Sequence, residues 1–226
     1  RLAPLDKLSL RPADASLSAG MQDIAAAGMP AAAHVIRFHH GLLVDASLQG
    51  APDGLTLRRL GEAGLAQMLD LLPADHPVTD LSMAAMTSGL LVDVAAGAKV
   101  TTPIILMFTG DSEAVSTHPV VLLRVGAAAH AVFADWHQSA VGLSAPLLGI
   151  DIADKARLDY AKIQSDGAAT THLAATGIKM GENAVLDGFQ LSVGGCLARL
   201  EAHVELAAES SDCRLSAIYL CLLYTS

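Results

Sequence analysis

The sequence predicts a mainly β fold built as a coil of stacked β-rungs, a β-helix, with a two-sheet sandwich as second choice. Three observations carry that reading. Four segments in the second half of the chain align with one another: Ala129–Trp136, Ala156–Ile163, Ala184–Leu191 and Cys213–Leu220. Their starts lie 27, 28 and 29 residues apart, a near-constant period of the kind repeat architectures leave in a sequence. Within each segment apolar residues alternate with polar or small ones, the period of a strand rather than a helix. Between them lie further apolar runs, Leu147–Ile152, His172–Ile178 and Leu197–Leu206, with no helical spacing. Two or more strands per repeat then give rungs that each bury an inward stripe against their neighbours. The alignment puts Phe133, Tyr160, Phe189 and Ile218 at equivalent steps.

Ahead of the repeats, residues 1–34 show no sustained period, and the small-residue run around Gly28 and Pro30 reads as a poorly structured connector. Residues 35–88 read as a small α/β segment. Val35–Phe38 and Leu42–Val44 flank His39-His40-Gly41, a hairpin whose turn takes positive φ at Gly41 and His40. From Leu55 to Leu72, leucines and Met68 recur every three or four residues until Pro73, which predicts an amphipathic helix. A shorter helix is expected over 79–86. Strands resume at Leu90–Val94 and Val100–Phe108, with Pro103 marking a strand start or a bulge. Residues 89–220 form the β-helix core.

Composition narrows the function classes. Across 226 residues, 14 Lys and Arg face 23 Asp and Glu, a net charge of −9. Nucleic-acid and anionic-membrane surfaces need a basic face, so neither partner is expected. Mean hydropathy is high at +0.45, yet no apolar stretch reaches the ~20 residues a bilayer span requires. Three cysteines without CxxC pairing suit a reducing compartment better than a disulfide framework.

An ordered set of phrases then resembles a known family. These are Gly89-Leu-Leu-Val-Asp-Val94 with Pro103-Ile-Ile105, then His118-Pro119, then Leu158-Asp-Tyr-Ala-Lys-Ile-Gln164. His172, Gly195–Leu206 and Arg214–Leu220 follow. Together they resemble the D-type scaffold subunit of the SUF iron–sulfur cluster assembly system, within the SufB/SufD family. Val120 and Ala217 depart from the family pattern, which often has Arg and Gly there. The resemblance implies a right-handed parallel β-helix and a non-catalytic scaffold subunit. It implies a cytoplasmic complex with a SufB-like paralogue and a SufC-like ABC ATPase, on which the iron–sulfur cluster is assembled. It also implies later rungs and C-terminal helices bearing the family's functional Cys and His. The expectation is therefore a truncated coil over 89–220, a non-native tail at 221–226, and no cofactor in this fragment.

The chemistry-bearing residues carry a weak signal of their own. No GxGxxG, GxxxxGK[ST] or HExxH motif occurs, and Gly142–Pro146 misses the nucleophile elbow. His34, His39 and His40 sit close together, but with no carboxylate or Cys placed to complete a zinc site they read as an exposed turn. His118, His130, His137, His172 and His203 fall in or beside separate strands. Rung stacking could pair two of them, for instance His130 with His172. Cys196 and Cys213 read as small buried hydrophobes rather than iron ligands. Asp135, Asp159 and Asp187 suggest a carboxylate ladder of the kind a β-helix enzyme acting on carbohydrate would use, the alternative function together with acyl transfer. Only Asp159 and Asp187 fall at the same repeat step, and aromatics are scarce at 4%, so a solvated face is the expectation. No catalytic residue and no metal site are assigned, and the cofactor-binding residues stay open.

Overall fold

A computed structural model describes residue 30 and residues 32–111 and 114–220. The connector at 1–34 and the tail at 221–226 lie almost wholly outside these. In the coil, five strands of one sheet alternate with five of another. Each rung runs through a strand of the first sheet, a tight turn and a strand of the second. The first sheet holds β4 (Ser88–Val94), β7 (Pro119–Val125), β10 (Leu147–Ile152), β12 (Ala169–Met180) and β14 (Leu197–Leu206). The second holds β5 (Lys99–Gly110), β8 (His130–Ser139), β11 (Arg157–Gln164), β13 (Val185–Val193) and β15 (Asp212–Leu220). Every stacking pair is parallel, as a coil requires. Short strands β6 (Ser116–Thr117) and β9 (Val141–Ser144) pair with each other and join the first sheet through the start of β12. This is the predicted β-solenoid, and no helix covers 147–152 or 197–206.

One residue in each inter-sheet turn takes a left-handed conformation: Gly97, Ala128, Lys155, Asn183 and Ser210. These turns keep the rung length near the repeat period. Inside the coil, aliphatic layers stack in register, with Val92, Leu123, Ile150 and Ile178 from one sheet and Ala131, Leu158 and Leu186 from the other. In the second sheet, β8 and β11 alternate buried with half-buried residues. In the first, both faces are buried, because helices cover its outside.

Those helices are α1 (Glu62–Leu71) and α2 (Pro77–Ala84). Met68, Leu71 and Leu72 pack on Leu91, Val120, Leu122, Leu147 and Ala175. Full burial of one such side chain contributes about 1.5–3 kcal/mol. Close approach is possible because β10 and β12 present glycines. A Cβ on Gly149 would stand 2.4 Å from Met68 Sδ, and one on Gly177 2.2 Å from the Leu71 carbonyl oxygen.

The expected helix over 55–72 is shorter than its spacing suggested. Residues Leu55–Arg59 instead form β3, antiparallel to β4. That stretch also alternates apolar and polar, and the open edge of β4 captures it before the helix begins. The hairpin is as expected: β1 (His34–His39) and β2 (Leu42–Leu43) turn at His40, φ 48°, and Gly41, φ 75°. A register shift between Val100 and Ile104 brackets Pro103, the expected bulge. The α/β segment at 35–88 is continuous with the coil, since β1 extends the second sheet and β3 the first.

Two aromatic alignments need correction. Tyr160 stands opposite Phe133, but Phe189 stands opposite Ala161 and Ile218 opposite Leu191. Gly188 takes the inward place in its rung, leaving Phe189 outside and 41% exposed. Cys213 pairs with Leu186, two steps later than the alignment assumed.

Candidate functional site: a polar seam inside the coil

Toward the ends of β8, β11 and β13 the inward stripe changes character. The aliphatic stack gives way to two columns, Leu106–Asp135–Lys162–Gln190 and Phe108–His137–Gln164–Ser192, formed by direct cross-strand pairing. Strand alternation puts these side chains inside, and rung stacking brings them into contact.

Asp135 is the hub. Its carboxylate accepts from Tyr160 Oη at 2.7 Å, from His137 Nε2 at 2.8 Å and from the Lys162 ammonium. Asp135, His137 and Lys162 are all at most 3% exposed. Burial pushes the Asp135 carboxyl up, but Lys162 and His137 outweigh it and hold it well below the usual carboxylate range. His137 moves the other way: burial above all lowers it to about 4, so the ring is neutral at pH 7. Tyr160 is raised by burial and by the neighbouring carboxylate.

His137 links two further layers. Its ring stacks on Phe108 at 4.5 Å and meets the His172 ring edge-on at 4.8 Å. His172 Nδ1 lies 2.9 Å from Asp166 Oδ2 in an ion-pair contact, and its Nε2 has no partner among the described residues. Asp166 also accepts from Gln164 Nε2 at 2.9 Å and from the Ser139 amide at 2.7 Å. Burial raises its carboxyl, His172 lowers it, and the balance is about 2. Ser192 Oγ donates to Gln164 Oε1 at 2.7 Å. The seam opens toward the last rungs, where Lys162 and Tyr160 border a cavity shared with Gln190, Leu200, Ala202 and Tyr219.

The other sequence-selected residues fall elsewhere. His130 contacts Asp159 at 2.8 Å and does not meet His172; the histidine that meets His172 is His137, edge-on. Asp159 stands opposite Asp187 as expected, bound to His130 and Arg157, whereas Asp135 points inward opposite Lys162. The expected exposed histidine turn is not exposed. His39 and His40 are 5% and 1% accessible, because the hairpin packs on β5 and on Thr87 and Ser88. They meet Asp111, while His34 sits at the other end of β1. His118 is buried between Ser116 and Ser82. Cys196 is exposed, contrary to expectation, with its thiol near the Thr170 carbonyl; Cys213 packs partly on the core. Sequence reading noted Asp135 and His137 only singly. The Asp-x-His spacing in one strand, opposite Lys-x-Gln in the next, was the signal that both pairs face inward together.

A family model described as the SUF system FeS cluster assembly SufBD core domain matches residues 107–222, the span that builds the coil from β5 onward. The iron–sulfur cluster assembly SufBD family proteins of Mycobacterium tuberculosis and Mycobacterium bovis are 27% identical over 161 residues. That alignment covers 71% of this chain and 38% of each relative. The chain thus spans well under half the length of the curated relatives it matches.

Proposed function

This chain belongs to the SufBD family of iron–sulfur cluster assembly proteins, and from that premise we propose that it acts as a non-catalytic scaffold in cluster assembly. In this reading it is the N-terminal and central part of a SufD-like subunit that works with a SufB-like paralogue and a SufC-like ATPase. The cluster is then cargo built on the complex rather than a resident cofactor. The observation that carries the proposal is the coincidence of the family match with the stacked rungs and their polar seam. A passive spacer has no need of the seam. Replacing buried ion pairs by apolar residues is commonly neutral or stabilising, so their presence points to a role beyond holding the coil together. The outward Asp159 and Asp187 are engaged by His130 and Arg157, which offers no convergent acid pair to the carbohydrate-enzyme alternative.

The test is a chimera in which this coil replaces the matching part of the Mycobacterium tuberculosis relative. With paralogue and ATPase supplied, the chimera should co-elute with both and support cluster loading onto an apo-ferredoxin. A folded chimera that binds neither partner, or binds both without loading, would sink the reading.

A further inference from the structure

Outside the seam, a second group of ligand-bearing side chains meets on the outer face of the coil. His76 stands at the N-cap position of α2 without a side-chain capping bond, and Glu201 and His203 project from β14 of the fifth rung. Their sequence separation of 125 residues hid the grouping. Register explains it: Glu201 stands opposite Ala175 and His203 opposite Gly177, on the face that the helices cover.

One imidazole nitrogen from each histidine and one carboxylate oxygen lie within 4.8 Å of one another. His76 Nε2 is 2.7 Å from Glu201 Oε2. His203 Nε2 is 3.6 Å from the same oxygen, too far for a hydrogen bond, and has no other partner among the described residues. The ring centroids of the two histidines are 5.6 Å apart. Around this trio stand the outer partners that usually orient metal ligands. Thr79 Oγ1 sits 3.3 Å from His76 Nδ1, which leaves Nε2 facing the carboxylate, and the Arg199 guanidinium forms an ion pair with the other oxygen of Glu201.

We propose that His76, Glu201 and His203 bind a divalent transition-metal ion with zinc-like ligand preference. Two imidazoles and a carboxylate are a common donor set for such ions, and three protein ligands leave a fourth position to water or an incoming group. Ligands about 2.0–2.1 Å from a tetrahedral ion stand about 3.4 Å from one another. The His203–Glu201 separation already matches, and the His76–Glu201 contact needs to open by under 1 Å, within reach of side-chain rotation. The His203 side chain is 38% exposed although its Nε2 is buried, so a turn of the ring gives the ion a path in. The bound ion joins α2 to the fifth rung. This proposal departs from the expectation of no metal site, which did not weigh His76 against residues of the last rungs. It stands independently of the scaffold reading.

The test uses the full chain with Zn(II) in competition against a chromophoric chelator, and with Co(II) as a spectroscopic stand-in. One ion per chain is expected, with visible Co(II) bands of nitrogen–oxygen ligation. Glu201→Gln and His203→Gln should each weaken binding by roughly 100-fold, with unchanged circular dichroism. His40→Asn, which tolerates the positive φ at that turn, should leave affinity unchanged and so separates this site from the His39–His40–Asp111 group. Should a variant misfold, imidazole nitrogen resonances of the wild type decide instead, since two Nε2 signals must shift on ion addition. Absence of binding at micromolar free Zn(II), or binding unaltered in both variants, would overturn the assignment.

Discussion

Substituting Lys162 by Met keeps the length of the side chain and removes its charge from a site that is 3% exposed. The Asp135 carboxylate would keep Tyr160 and His137 but lose its one cationic partner. Breaking one side of a buried pair costs about 3–5 kcal/mol, because the remaining charge is stranded. The reverse substitution, Asp135→Asn, strands the ammonium and is expected to cost a similar amount. The double variant removes both charges together and should return to within about 2 kcal/mol of wild type. The cycle then gives a coupling energy of at least about 4 kcal/mol. Urea unfolding followed by fluorescence suits the assay, since Trp136 is the only tryptophan and lies beside Asp135 on β8, bonded to Ser165. Lys162→Met should also lose less stability than wild type as pH falls, because protonation relieves its stranded carboxylate. Single variants within 1 kcal/mol of wild type, or fully additive losses in the double variant, would refute the buried pair as drawn.

Acid should destabilise the chain first through His137. Its folded value near 4 lies below the ordinary 6.5, so the unfolded state takes up the proton first, and stability falls as pH drops from about 6.5 to 4 by roughly 3 kcal/mol. His137→Gln should flatten that part of a stability–pH curve, and an unchanged slope would count against a neutral buried ring. Gly177→Ala forces a methyl toward the Leu71 carbonyl oxygen, so a loss of about 2 kcal/mol or more is expected in thermal or urea unfolding; a neutral result would mean α1 does not seat there. Asn183→Ile puts a β-branched residue at φ 54° and should cost about 1–2 kcal/mol in the same assay, whereas Asn183→Gly should not. Finally, β15 leaves Leu215, Ile218, Tyr219 and Leu220 about half exposed, so the chain should self-associate in light scattering, and Ile218→Lys should reduce it.

The coil was legible because rung length and alternation are local properties, written in Ala129–Trp136 and its later copies. The hairpin at His40-Gly41 was legible for the same reason, since turn chemistry is local. Helix content was overread where Leu55–Arg59 satisfies two periods at once, and only the neighbouring edge of β4 decides between them. Aromatic matching failed at Phe189 because the eye aligns large residues, while the fold aligns whichever residue fits inside, here Gly188. Sites were the least legible. Asp135, Lys162 and His172 meet only after rungs of 27 and 28 residues close on one another. His76 reaches Glu201 only because α2 folds back over the first sheet.

Stacked-rung proteins tend to unfold piecemeal, each repeat held only by the one before and after it. Here α1 lies across β10 and β12, α2 touches β7 and β12, and His76 reaches β14. Gln67 of α1 adds a bond to Asp151 of β10. A segment early in the chain thus works as a brace laid across rungs two to five, tying together layers that do not touch directly. Amide exchange in β7, β10 and β12 should then occur in one cooperative opening rather than a graded series from the end rung inward. Detaching the brace would turn a single block into a fraying stack.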